Sequence, residues 1–229
     1  MTTRIVVASA GLSVPSSTRL LADMLANASE QAVQARGVEV EVEHIELRGL
    51  AHALTDHLLT GFPTAELAHA LDAVRRADGV IAVTPVFSAS YSGLFKTFFD
   101  VLETGVLDGT PVLAAATAGT ARHSLVIDHA LRPLFSYLHA VVVPTGVFAA
   151  TDDFAATGVG AGGDLHKRVE RAASEFAALV TGHQAALAGG DGAGGDGAGA
   201  TAEPKRRLVE DEFADPTDFS VLLRRASQG

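Results

Sequence analysis

The chain opens on a short continuous apolar run, Arg4 to Ser9, rich in Ile and Val. A run without polar alternation is how a strand buried on both faces reads, so it predicts a central parallel strand. After a polar loop from Gly11 to Ser16, the residues Leu20, Leu21, Met24, Leu25, Ala28, Ala32 and Val33 recur at intervals of three and four. That period is an amphipathic helix over 17–36, capped by Ser16 or Ser17 and stopped by Gly37. Val38 to Glu43 then alternates apolar and acidic, which turns one face to water and predicts an edge strand. Residues 47–62 carry no clear period. Pro63 stands at an expected first helical turn, with Leu67, Ala70, Leu71 and Val74 as the apolar face behind it and Gly79 as the stop.

Val80 to Thr84 is a further buried strand, Gly93 to Leu102 a helix, Pro111 to Thr117 a strand, Arg122 to Leu138 a helix and Val141 to Phe148 a fifth strand. A last core helix from about Asp164 to about Leu187 points Leu165, Val169, Ala172, Ala173, Phe176 and Leu179 inward. Five strands alternating with helices predict an α/β fold, a doubly wound parallel sheet with right-handed crossovers. The expected order is the flavodoxin-like 2-1-3-4-5. In that order ligands gather beyond the carboxyl ends of the strands, near the switch point between the first and third. The loops after Ser9, Thr84 and Thr117 are therefore the ones to search. The core domain is expected to span 1–188. Residues 189–200 hold seven glycines and predict a flexible linker, and 201–229 form a mixed-charge tail whose Leu208, Val209, Phe213, Phe219, Val221, Leu222 and Leu223 could dock on a neighbour.

Composition narrows the function classes. The 229 residues can bury one sizeable core, and 48% hydrophobic against 19% charged residues excludes a wholly disordered chain. No apolar run approaches the roughly 20 residues of a membrane span. With 17 basic and 27 acidic residues the net charge is -10, which repels polyanions and argues against nucleic acid as a partner. The lack of cysteine removes disulfides, thiolate catalysis and cysteine-ligated metals. The start, Met1-Thr2-Thr3-Arg4, leads straight into the first strand with no apolar export segment, so a cytoplasmic location is expected. The nine histidines show no metal-ligand spacing, and no metal is expected.

The chemistry concentrates in the three loops. The first, Ser9-Ala10-Gly11-Leu12-Ser13-Val14-Pro15-Ser16-Ser17-Thr18-Arg19, brings hydroxyls and free amides to the positive end of a helix, a place suited to a phosphate monoester. An ordinary serine-rich cap would look the same. The second, Thr84-Pro85-Val86-Phe87-Ser88-Ala89-Ser90-Tyr91-Ser92-Gly93, combines proline, two aromatics and small hydroxyl residues along which a flat heterocycle could lie; the plainer alternative is surface aromatics or a subunit contact. The third, Thr117-Ala118-Gly119-Thr120-Ala121-Arg122-His123, offers backbone donors to the polar edge of the same ring. Two G-x-G-x-x-G matches, at 158–163 and 192–197, lack the strand-helix-strand context of a dinucleotide fingerprint and are set aside.

Taken in order, Pro15-Ser16-Ser17-Thr18-Arg19-Leu20-Leu21, Thr84-Pro85-Val86-Phe87 with Ser92-Gly93-Leu94-Phe95-Lys96, and Thr117-Ala118-Gly119-Thr120 resemble the NADPH-dependent FMN reductase family over residues 4–185. The start Ser9-Ala10-Gly11-Leu12-Ser13 and the tail are similar to the branch paired with luciferase-like monooxygenases. The resemblance implies a flavodoxin-like fold and the cofactors FMN and NADPH or NADH. It implies that Ser16, Thr18 and Arg19, with Ser9 and Ser17 nearby, hold the FMN phosphate. Pro85, Val86, Phe87, Ser88, Ser90 and Tyr91 would border the isoalloxazine ring, and Thr117, Gly119 and Thr120 its other edge. Many members carry Gly-Ser-Pro-Arg where this chain has Ala10-Gly11-Leu12-Ser13, so one arginine contact is missing. The implied activity is hydride transfer from NAD(P)H to FMN, with no catalytic acid or base in the protein. The implied partners are a flavin-dependent monooxygenase and a second copy of the chain. A flavodoxin-type electron carrier and a quinone or azo reductase are the competing expectations.

Overall fold

The computed structural model describes residues 2–155 and 162–189. Within them the chain runs β1 (Thr3–Ser9), α1 (Ser17–Gln34), β2 (Val40–Glu46), α2 (Ala51–Thr60), α3 (Ala65–Arg75), β3 (Gly79–Phe87), β4 (Ser90–Tyr91), α4 (Gly93–Asp100), β5 (Pro111–Ala118), α5 (Arg132–Tyr137), β6 (Val141–Val142), β7 (Val147–Ala150), α6 (Thr151–Ala155) and α7 (Gly162–Gly189). The sheet order is β2-β1-β3-β5-β6, with β7 also on β5 and β4 a short antiparallel flap on β3. The pairings along the main path are parallel. This is the expected flavodoxin-like 2-1-3-4-5 arrangement, its fifth strand divided into β6 and β7. The glycine-rich run 158–163 lies largely, and the linker beyond Gly189 and the tail 201–229 lie wholly, outside the described residues. No helix among the described residues is long and apolar enough to cross a membrane.

The unbroken apolar strands follow from a sheet covered twice. Val6, Ala8, Val80, Ala82, Val112 and Ala114 pack into one core with α2, α3, α4 and α5. Their neighbours Ile5, Val7, Ile81, Val83, Leu113 and Ala115 pack into a second core with α1 and α7. Alternate side chains point to opposite faces, so two apolar faces require an apolar residue at every position. β2, at the edge, carries only one buried residue, Ile45, and keeps its charges. On the first face Phe95, Phe98 and Phe99 of α4 meet Phe135 of α5; Phe99 and Phe135 stand edge to face at 5.0 Å, the arrangement an aromatic quadrupole favours.

Local departures from the sequence expectation have identifiable causes. The helix α2 was not legible because only Leu54 of its ten residues is buried, so it shows no apolar stripe. Thr64, not Pro63, caps α3 by accepting from the Leu67 amide at 3.3 Å, which leaves Pro63 outside the helix. Gly79 does not stop that helix but starts β3. The expected helix over 122–138 is broken into a 3-10 turn (Ala121–His123), a π-helical turn (Ile127–Leu131) and α5. Pro133 has no amide to give the preceding turn, and the Arg132 amide donates five residues back to Ile127. Pro144 equally cannot extend a ladder between β6 and β7. There the Arg132 guanidinium donates to the Val143 and Pro144 carbonyls, and Glu175 accepts from the amide and hydroxyl of Thr145, each at 2.8 Å.

Gly79 is where β3 and α7 come closest. A Cβ there would lie 2.6 Å from Phe176 Cζ and 2.7 Å from Val180 Cγ2, and both side chains are fully buried. Gly79→Ala is expected to destabilise the fold by about 1–3 kcal/mol, the usual cost of overpacking a filled core. Urea unfolding checks it: the midpoint falls while the slope stays constant.

Candidate functional site

The carboxyl ends of the parallel strands form one rim. Ser9 is level with Val83, Pro85 with Thr117, and Ala118 with Ala150. Each chain therefore leaves the sheet on the same side, and three of the exits are the loops singled out from the sequence. Backbone hydrogen bonds begin to knit them: the Ala10 amide donates to Val83 and the Leu47 amide to Ser9, both at 2.9 Å.

The first exit folds tightly onto the start of α1. Ser16 takes an extended conformation and caps the helix, its Oγ accepting from the Arg19 amide at 3.2 Å. The Ser17 and Thr18 amides, at the positive end of the helix, have no acceptor among the described residues. Gly11 lies against this turn. A Cβ on it would sit 2.1 Å from Ser16 Oγ and 3.2 Å from Thr18 Cβ, so a larger residue would push the Ser16 hydroxyl from its capping position. The result is a small cradle of free amides and hydroxyls at the end of an 18-residue helix, the geometry that receives a phosphate. Val14 and Leu12 stand exposed on its outer lip, and the Val14-Pro15 peptide is cis.

The second exit is a hairpin. β3 extends to Phe87, turns through Ser88 and Ala89, both at positive φ, and returns as Ser90–Tyr91. Two consecutive left-handed residues match the twist a two-residue hairpin turn needs, at a cost in strain that a glycine would avoid. The Thr84 hydroxyl accepts from the Ser92 amide at 3.0 Å, and Ser92 in turn caps α4. Phe87 and Ser88 are exposed, while Pro85, Val86, Ser90 and Tyr91 are half-buried. Tyr91 rests its ring on Phe95, 5.9 Å away, which anchors the hairpin to the phenylalanine cluster.

The third exit leaves β5 at Thr117. Gly119 and Thr120 are exposed, and their amides have no acceptor among the described residues. Thr117 itself is buried and its hydroxyl lies 2.8 Å from that of Thr18, so the first and third loops are bonded directly. The structure thus brings Ser9, Ser16, Ser17, Thr18, Pro85, Val86, Phe87, Ser88, Ser90, Tyr91, Thr117, Gly119 and Thr120 to one rim. Arg19 is placed differently from the rest. Its Nε donates to Asp23 at 2.7 Å and its Nη1 to Glu46 on β2, so most of its charge is already answered.

Two features of the rim were not visible as site features in the sequence. Gly11 reads as an ordinary loop glycine until Ser16 and Thr18 are folded against it. Beyond β7, Asp153 accepts from the Ala150 amide at 2.7 Å and pairs with Arg168 of α7 at 2.9 Å, while Arg168 also donates to the Phe148 carbonyl. This brings a fourth strand end, beside Ala118, under fixed control. Only the spacing of three residues between Ala150 and Asp153 hinted at it. Among the described residues no cluster of three acidic or histidine side chains could hold a metal.

A model of the NADPH-dependent FMN reductase family matches residues 3–155. The chain is similar to an FMN reductase (NADPH) of Pseudomonas aeruginosa, at 40% identity over 151 residues, 66% of this chain and 78% of that one. It is also similar to the NADH-dependent FMN reductase SfnF of Pseudomonas putida, at 38% identity over 75% of this chain and 86% of the relative. Among solved structures, an oxidoreductase of Corynebacterium diphtheriae superposes with a TM-score of 0.76 at 51% identity, over 79% of this chain and 98% of its own.

One titratable group stands beside the cradle. His44 on β2 lies 3.6 Å from Asp23 and near the Arg19 and Glu46 pair. Burial pushes its imidazole below the ordinary value of 6.5, Arg19 adds to the push, and Asp23 and Glu46 oppose it. The folded state therefore favours neutral His44. Its stabilising contribution is present above pH 6.5 and is lost as pH falls through the lowered value. NMR titration of the native protein is expected to place the His44 midpoint below 6.5. In His44→Gln, the decline of thermal midpoint on acidification should be shallower.

Proposed function

Because the chain belongs to the NADPH-dependent FMN reductase family, we propose that it transfers hydride from NAD(P)H to FMN held at the carboxyl rim of its sheet. The observation that carries this reading to particular residues is the cradle of Gly11, Ser16 and Thr18 at the start of α1. Its free amides at a helix start suit a phosphate monoester, and it lies on the same rim as a hairpin and a loop suited to a flat ring. Ser9, Ser16, Ser17 and the Thr18 amide serve the phosphate. Arg19 contributes through the guanidinium nitrogen left over from its two ion pairs. Pro85, Val86, Phe87, Ser88, Ser90 and Tyr91 border the ring on one side, and the Gly119–Thr120 turn that follows the buried Thr117 borders it on the other.

Bound FMN supplies the hydride-accepting N5, and the hydride itself needs no proton from the protein. What remains for the chain is orientation. The Gly119 and Thr120 amides are donors for the ring edge on which negative charge gathers during reduction. The half-buried side chains of the hairpin give a dry wall against which two rings can stack at reacting distance. Phe87 on the hairpin, Leu125 beyond the third loop and Val14 in the first loop are exposed apolar groups. They support a homodimer that closes the site and a flavin-dependent, luciferase-like monooxygenase that takes the reduced FMN. The reading puts the protein in the cytoplasm, where NAD(P)H is.

Purified protein is expected to oxidise NADH or NADPH only when FMN is added, read as loss of nicotinamide absorbance. Absence of turnover with both nicotinamides rejects the reading. Gly11→Ala should raise the KM for FMN by one to two orders of magnitude, on the order of what a ~1 Å misplacement costs, because its Cβ forces Ser16 out of the cradle. The nicotinamide KM should change far less.

A further inference from the structure

We propose that Thr117 is a positioning residue for recognition of the FMN phosphate, although it sits on the strand that leads to the ring-edge loop. The proposal deepens the FMN reductase reading and rests on it. Thr117 and Thr18 are 99 residues apart in sequence, yet their hydroxyls meet at 2.8 Å. Both residues are almost fully buried, at 5% and 4% exposure. Thr18 belongs to the first turn of α1, and its Cβ is one of the atoms onto which Gly11 closes. The place of Thr18 therefore defines the cradle.

The other contacts of α1 hold this turn less firmly, since its tie from Arg19 to Glu46 on β2 is exposed to solvent. Leu21, Ala22 and Leu25 hold it to the sheet by apolar contact, which is strong but non-directional and leaves the helix free to slide or rotate by small amounts. Ser16 fixes only its own helix turn. The hydrogen bond to Thr117 is directional, and in a dry interior it resists displacement more than it would in water. It spans the end of β3, since β1 and β5 lie on either side of that strand. On top of the β1-β3-β5 ladder, this bond ties the phosphate cradle directly to the strand that carries the Gly119–Thr120 donors. A flavin bearing a phosphate must satisfy both ends at once, whereas riboflavin engages only the ring end. The tie acts as a gauge for flavin length and charge.

The test measures flavin binding by fluorescence quenching without any nicotinamide, so it is independent of turnover. Wild-type protein binds FMN more tightly than riboflavin; equal binding, or none, overturns the reading and the proposal together. Thr117→Val keeps the β-branched shape and removes the bond. It should weaken FMN about tenfold, the equivalent of one buried hydrogen bond, with riboflavin unchanged. Thr117→Ser should restore the FMN preference. Thr18→Val/Thr117→Val removes both hydroxyls, leaves no buried polar orphan, and should be no weaker for FMN than Thr117→Val alone. Equal weakening of FMN and riboflavin in Thr117→Val, or FMN affinity retained there while the wild type discriminates, overturns the positioning role and leaves the FMN reductase reading standing.

Discussion

Burial of both faces of the sheet is the constraint from which the rest of this structure follows. With α1 and α7 on one side and α2 to α5 on the other, no side chain in the middle of β1, β3 or β5 can reach solvent. Chemistry can then take place only at the rims, where the strands end and their loops run free. Parallel pairing places all the carboxyl ends on the same rim, and the reversal of strand order between β1 and β3 opens a gap there between neighbouring exits. The candidate site is a consequence of the packing and not an addition to it.

At that rim, polar groups remain unspent because the regular hydrogen bonding has stopped. The Ser17, Thr18, Gly119 and Thr120 amides lie just past the last ladder bond or just inside the first helical turn. Such groups are costly if buried dry and useful if a ligand can take them up. Around them, a few directed contacts fix positions that apolar packing alone would leave loose: Ala10 to Val83, Thr84 to Ser92, Thr18 to Thr117, and Asp153 to Arg168. The phenylalanine cluster does the same for the hairpin through Tyr91. A site made this way suits hydride transfer between two rings, which asks for stacking and a few well-aimed donors.

The fold was largely legible in the sequence because each strong element carries its own period. β1, β3 and β5 read as unbroken apolar runs, and α1 shows its stripe of Leu21, Leu25 and Val33. Where burial is slight the signal fails, as in α2 with its single buried Leu54. Where a proline removes one backbone donor, the pattern of side chains does not reveal how the chain will bend. Pro133 and Pro144 turned an expected helix and an expected strand into shorter pieces, joined through the Arg132 guanidinium.

For the candidate site the division is sharper. Sequence alone determined which loops meet at one rim, since residue order and strand order place Ser9, Thr84 and Thr117 at neighbouring exits, and it determined the hydroxyl-rich, cysteine-free chemistry available there. Only the tertiary structure decided what each residue faces. Arg19 is spoken for by Asp23 and Glu46, Gly11 has Ser16 folded closely onto it, and Thr18 finds Thr117 across the end of another strand. The reason is physical: periodicity records whether a position is wet or dry, whereas a hydrogen bond depends on distances of a few tenths of an ångström between segments whose separation in the chain carries no trace of it.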